Sequence, residues 1–139
     1  MKLMRNPNAK HIDFYEFKGL IESNPKICPS NLDMVFERRS KFLVCEWKRE
    51  GEFMSFGQEI LLKGLASQPN FIVLIVYGDT DEETKVLKFE HINKNGKFKQ
   101  LGSGLDELQS FVRRWYRWAD LGGKNETRTH GNRRDTRLG

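Results

Sequence analysis

DMVFERRSKFLVCEWK, residues 33–48, carries two runs of alternating polar and apolar side chains on either side of Arg38-Arg39-Ser40-Lys41. Period two marks a strand with one face buried, and two such runs meeting at a short polar segment read as a hairpin. The alternation extends the first strand back to Ile27, giving strands over 27–36 and 42–48. A turn centred between Arg39 and Ser40 pairs residues whose numbers sum to 79, which sets Asp33 across from Glu46 and Val35 across from Val44. Leu32, Met34, Phe36, Leu43, Cys45 and Trp47 then form an unbroken apolar face suited to a core. Lys48, two residues beyond Glu46, returns to the carboxylate face.

Working outward, Phe14, Phe17, Leu20 and Ile21 recur at helical spacing between His11 and Ser23, before the Asn24-Pro25 stop. Downstream, Ser55 and Gln58 have the spacing of a capping box, and Ile60, Leu61, Gly64 and Leu65 continue a helix towards Gln68-Pro69-Asn70. FIVLIVY, residues 71–77, is short, apolar and β-branched, as in a strand covered on both faces, and its position directly after a helix fits a βαβ crossover. Val86 to Ile92 alternates as a further strand, and Asn95-Gly96 turns the chain into an edge extension at 97–101. Leu105, Leu108, Phe111, Val112 and Trp115 place a C-terminal helix on the core. The fold expected is α/β, a mixed central sheet in α-β-β-α-β-β order flanked by helices, forming one domain over residues 1–120. Residues 121–139 hold only two large apolar residues against five basic and two acidic ones, which predicts a basic, disordered tail.

With 139 residues, the chain has the size of one domain that buries roughly two-thirds of its unfolded surface. Twenty-four Lys and Arg against nineteen Asp and Glu give a net charge of +5, which favours a polyanionic partner. Cys28 and Cys45 have neither CxxC spacing nor a nearby histidine cluster, so zinc and disulfide frameworks are set aside and a cytoplasmic location is expected. His11, His91 and His130 form no metal spacing. The N-terminus has no signal-peptide pattern and no apolar run is long enough for a membrane span, so no membrane partner is expected.

The chemistry lies on the carboxylate face of the hairpin. Two carboxylates directly opposite each other repel by a few tenths to about one kcal/mol unless a cation lies between them. Hard oxygen donors without His or Cys suit Mg²⁺, with Mn²⁺ as a substitute, and leave positions for water and a phosphate oxygen. Lys48 then orients a water or stabilises developing charge, a constellation for phosphodiester hydrolysis. An isolated Glu-x-Lys triplet is ordinarily a solvated strand face; the registered Asp33, the apolar opposite face and the following helix are what favour a site here. Arg38, Arg39, Lys41, Arg49, Arg113, Arg114 and Arg117 are the basic residues expected to contact phosphates. Trp115, Tyr116 and Trp118 are read as core or dimer contacts in preference to base-stacking platforms.

Pro29-Ser30-Asn31-Leu32-Asp33, then Phe42-Leu43-Val44-Cys45-Glu46-Trp47-Lys48, then Gly57-Gln58 opening a helix, resemble the core of the PD-(D/E)XK nuclease superfamily, the restriction-endonuclease-like group of phage and bacterial type. The likeness covers roughly residues 12–92, and it lacks the literal proline-aspartate pair, because Pro29 stands four residues before Asp33. It implies a restriction-endonuclease-like core with Asp33 and Glu46 as metal ligands, Lys48 as the catalytic lysine and Gln58 as a helix residue that helps hold a water, phosphate or base. Glu16 or Glu22 on the first helix would complete the shell. The activity implied is Mg²⁺-dependent endonucleolytic hydrolysis of DNA, with junctions or flaps as candidate structures and a homodimer as a candidate assembly. Gln58 has a purely structural alternative as the capping-box partner of Ser55, and the whole fold has a non-catalytic alternative as a nucleic-acid- or protein-binding module.

Overall fold

The computed structural model describes residues 14–128, with side chains through residue 122. The chain divides into two compact units, Met1–Asn31 and Leu32–Gly139.

In the first unit, the expected helix is reduced to a single 3-10 turn over Tyr15–Phe17, followed by reverse turns that bond Asn24 N–H to the Ile21 carbonyl (3.0 Å) and Ile27 N–H to the Asn24 carbonyl (3.2 Å). Residues 11–13 of that expected helix lie outside the described residues. Gly19 has φ +67°, a left-handed value that ends a right-handed helix. A helix this short also depends on packing its apolar stripe. Phe17 and Leu20 instead remain 58% and 60% exposed.

The second unit holds a five-stranded mixed sheet and two helices. Strand β1 (Met34–Arg38) and strand β2 (Lys41–Lys48) are antiparallel, with Met34 opposite Cys45 and Val35 opposite Val44, the register expected from the sequence. Arg39 and Ser40 both take positive φ (53° and 64°), the conformation of a two-residue turn whose twist matches its strands. The first strand begins at Met34, not Ile27, and Leu32, expected on the core face, is 40% exposed because it precedes the ladder. Pro29 in the preceding segment cannot donate to a ladder hydrogen bond.

Helix α1 (Phe56–Ala66) then crosses to strand β3 (Phe71–Asp79), which runs parallel to β2; strands β4 (Lys85–Ile92) and β5 (Phe98–Gly102) follow antiparallel, giving the order β1-β2-β3-β4-β5. Helix α2 (Leu105–Arg128) closes the fold and runs past residue 120, where the tail was expected to begin; residues 129–139 lie outside the described residues. Its Leu108, Phe111, Trp115 and Ala119 pack on one face of the sheet against Leu43, Cys45, Leu74, Val76 and Phe89. Leu62 and Ala66 of α1 pack on the other face against Val44, Val73, Ile75 and Ile92. Each large apolar side chain so buried contributes roughly 1.5–3 kcal/mol, and burial on both faces explains why residues 71–77 read as a continuous apolar run. Among the described residues no helix is long and apolar enough to cross a membrane.

The β3–β4 register shifts between Tyr77 and Gly78, where the strands approach so closely that a Cβ on Gly78 would stand 2.0 Å from the Lys85 carbonyl oxygen. Backbone, unlike a flexible side chain, has no easy retreat. Gly78→Ala is therefore expected to destabilise the fold by about 1–3 kcal/mol, read as a lower urea midpoint with unchanged slope; an unchanged midpoint would refute this reading of the crossing.

Candidate active site

The alternation of β2 brings Glu46 and Lys48 to the sheet face that α1 covers, next to Val44. Both are only 5% exposed, unusual for charged residues, so each needs a partner. Gln58, the third residue of α1, supplies both. Its amide nitrogen donates to Glu46 Oε2 (2.9 Å), and its amide oxygen accepts from Lys48 Nζ (2.5 Å), while Lys48 Nζ stands 4.0 Å from Glu46 Oε2.

Gln58 closes the capping box expected of it, and the same side chain also reaches Glu46 and Lys48. Its backbone N–H donates to Ser55 Oγ (3.1 Å), and its side-chain oxygen receives the Ser55 N–H at 3.5 Å, at the limit of a hydrogen bond. The cap fixes where α1 starts, and the start of α1 sets the amide between the carboxylate and the lysine.

Asp33 immediately precedes β1, so the hairpin register continued by one residue sets it across from Glu46. Its Oδ2 accepts the Trp47 N–H (2.9 Å), which anchors the carboxylate over the end of β2, and Asp33 remains exposed. The Glu46 carboxyl is raised from the usual carboxylate range to about 7, first by burial and then by the Asp33 charge, against the pull of Lys48. Cys45 faces the opposite core, and burial pushes its thiol up to about 12, which rules it out as a nucleophile near neutral pH.

Glu16 and Glu22 are exposed residues of the Met1–Asn31 unit, in and after its 3-10 turn. The predicted basic residues of the second unit are dispersed. Arg38 and Arg39 at the hairpin tip both pair with Asp120 of α2, at 2.6 and 3.2 Å. That tip and Lys41 lie at the start of β2, roughly 23 Å along the strand from Lys48. Arg113, Arg114 and Arg117 are exposed on α2, the helix on the sheet face opposite Glu46 and Lys48. Arg49 alone of the predicted basic residues follows directly on the site, and Asp81 clamps its guanidinium at 2.5 and 3.0 Å. Trp115 is buried and Trp118 packs on the core, whereas Tyr116 is 45% exposed beneath the Arg38 guanidinium, 5.4 Å from the ring centre.

Two features escaped the sequence reading. Tyr77 stands beside Lys48 in the parallel register and donates to Glu90 Oε1 (3.2 Å), with Lys88 Nζ 4.9 Å from its ring centre. Burial and the Glu90 charge raise the Tyr77 hydroxyl above its ordinary value, keeping it protonated. Beyond the strand ends, a cavity of about 460 Å³ opens beside Asp33, with Trp47 and Asp79 in its wall. The only signal for Tyr77 was its shared parity with Ile75, and nothing in the chain before the crossover sets which β3 residue neighbours Lys48.

Among the described residues no group of three or more His, Cys, Asp or Glu side chains is placed to hold a metal. Asp33 and Glu46 are hard oxygen donors of the kind a divalent ion takes, and the Asp33 charge is the second cause, after burial, of the raised Glu46 carboxyl. Mg²⁺ commonly takes one or two protein carboxylates and completes its sphere with water and substrate phosphate. Comparisons with protein-family models, with curated proteins and with solved structures find no match for this chain.

Proposed function

We propose that this chain is a Mg²⁺-dependent nuclease that hydrolyses DNA phosphodiester bonds on a restriction-endonuclease-like core. The observation that carries the reading is the single hydrogen-bonded unit Glu46–Gln58–Lys48 with Asp33 beside it, at the end of a parallel strand pair. Open α/β sheets leave their ligand crevices outside the carboxyl ends of such strands.

In this reading Asp33 and Glu46 hold the ion, which when bound supplies Lewis acidity at a phosphate oxygen and lowers the pKa of a water. Lys48 carries three N–H donors, of which Gln58 takes one, leaving two for an attacking water or for charge developing on the phosphate. Gln58 fixes the lysine while donating to Glu46, so positioning and ligand orientation depend on one amide.

The raised Glu46 value gives the reading a pH signature. Metal binding competes with the proton on Glu46, so apparent affinity rises with pH and levels off above about 7. Calorimetric titration with Mg²⁺ or Mn²⁺ is expected to give roughly tenfold weaker binding at pH 6 than at pH 8, with binding lost in Asp33→Ala. Binding that is absent, or indifferent to both pH and Asp33→Ala, would sink the metal site. The alternative, a catalytically silent binding module, is favoured by one observation: Gln58 already gives Glu46 and Lys48 a hydrogen-bond partner each without a ligand.

A further inference from the structure

The cavity beside the carboxylate pair shares Asp33 with it and adds Trp47, Glu52 and Asp79 to the lining. At about 460 Å³ it falls in the size range of small-molecule sites. Trp47 and Met34 form an apolar wall, and both pack against the core on their inner side, so the indole is already held in place. Gly78 contributes no side chain to the lining, so only backbone forms that part of the wall.

The polar lining accepts hydrogen bonds far more than it donates them. Asp33, Glu52 and Asp79 stand against one guanidinium, Arg49, which Asp81 already neutralises. Backbone N–H groups of Arg49 and Asp81 fix one oxygen each of Glu52 (2.9 Å) and Asp79 (3.2 Å). The second oxygens carry no hydrogen bond among the described residues. Such a lining repels phosphate. It accepts from an exocyclic amino group, as carboxylates do from cytosine N4.

We propose that this cavity binds an unpaired nucleobase of the strand being cut, stacked on Trp47, with amino-bearing bases preferred over thymine. The proposal rests on the nuclease reading above, and it narrows the substrate. A base inside a duplex has its faces stacked and its pairing edge occupied, so only single strands, flaps or junctions present a base that can enter. Stacking on an aromatic ring is worth about 1–3 kcal/mol per base, or roughly five- to 150-fold in affinity.

The test is fluorescence polarisation in EDTA, where nothing is cut, with labelled oligo-dA, oligo-dC, oligo-dT and a fully paired hairpin. Wild type, Trp47→Phe and Trp47→Leu are compared after thermal melts establish that each folds. Trp47→Leu is expected to lose roughly tenfold on oligo-dA and oligo-dC and little on the hairpin, with Trp47→Phe keeping most of the wild-type affinity. Wild type is expected to bind oligo-dC several-fold more tightly than oligo-dT. Equal affinity for those two strands overturns the proposal even if the leucine variant does not fold, as does a hairpin affinity that falls in step with the single strands. Metal-dependent cutting with no Trp47 effect rejects the base cavity alone; Trp47-dependent single-strand binding without cutting in Mg²⁺ rejects the nuclease reading alone.

Discussion

Lys48→Met is expected to lower the rate of DNA cutting by roughly 10²–10³-fold, the usual consequence of losing one preorganised donor at a developing charge. The fold should survive. Methionine follows the buried aliphatic stem of the lysine, and Gln58 keeps its bonds to Glu46 and Ser55. What disappears is the ammonium 2.5 Å from Gln58 Oε1 and 4.0 Å from Glu46 Oε2. Because Lys48 pulls the Glu46 carboxyl down against burial and Asp33, its removal raises that carboxyl further, and the metal-binding curve should move to higher pH. The variant would then bind metal at pH 8 and still fail to cut, a separation of binding from chemistry that single-turnover kinetics beside calorimetry would expose. Wild-type cutting rates in Lys48→Met would remove the lysine from the mechanism.

Glu46→Gln should have the opposite effects on stability and on function. The folded-state carboxyl titrates near 7 against 4.5 in the unfolded chain, so between those values the folded state holds a proton that the unfolded state has released. The stability contributed by Glu46 is therefore complete below about pH 4.5 and is lost as pH rises through about 7, a loss of about 3 kcal/mol at the usual 1.36 kcal/mol per unit. Glutamine stands in for the protonated acid and carries no such penalty. In EDTA at pH 8, the variant should melt higher than wild type, by on the order of 10 °C, with the difference vanishing near pH 4.5. Adding Mg²⁺ should reverse the order, because only wild type gains RT ln(1 + [L]/Kd) from a bound ion. Metal-dependent cutting should be lost. A variant that melts lower than wild type at pH 8 would contradict the account of Glu46 as a buried carboxylate retained for its chemistry.

The part of the site carried by the hairpin was legible because it is local. A two-residue turn at Arg39-Ser40 fixes an antiparallel register, and the apolar face chooses which side each residue takes, so Asp33, Glu46 and Lys48 followed from 16 residues of sequence. Gln58 was legible as a cap, but its reach to Glu46 and Lys48 depends on how α1 lies on the sheet. Tyr77 and the Trp47 cavity were not legible, because the parallel β2–β3 register is set across the α1 crossover and no local pattern encodes it. The N-terminal periodicity misled for a different reason: four apolar residues at helical spacing say nothing about Gly19, whose left-handed φ breaks the segment. The hairpin reading already set Arg38, Arg39 and Lys41 at the turn, a strand's length from Lys48. It could not give the sheet face taken by α2, which carries Arg113, Arg114 and Arg117 opposite Glu46 and Lys48.

The central claim is tested most directly by incubating labelled duplex, single-stranded, flap and four-way-junction DNA with purified protein in Mg²⁺, Mn²⁺ or EDTA, alongside Asp33→Ala and Lys48→Ala. Cutting in either metal, abolished by EDTA and by both substitutions and strongest on DNA with unpaired nucleotides, is the predicted result. No cutting of any substrate in either metal, with DNA binding the same in wild type and both variants, would contradict it.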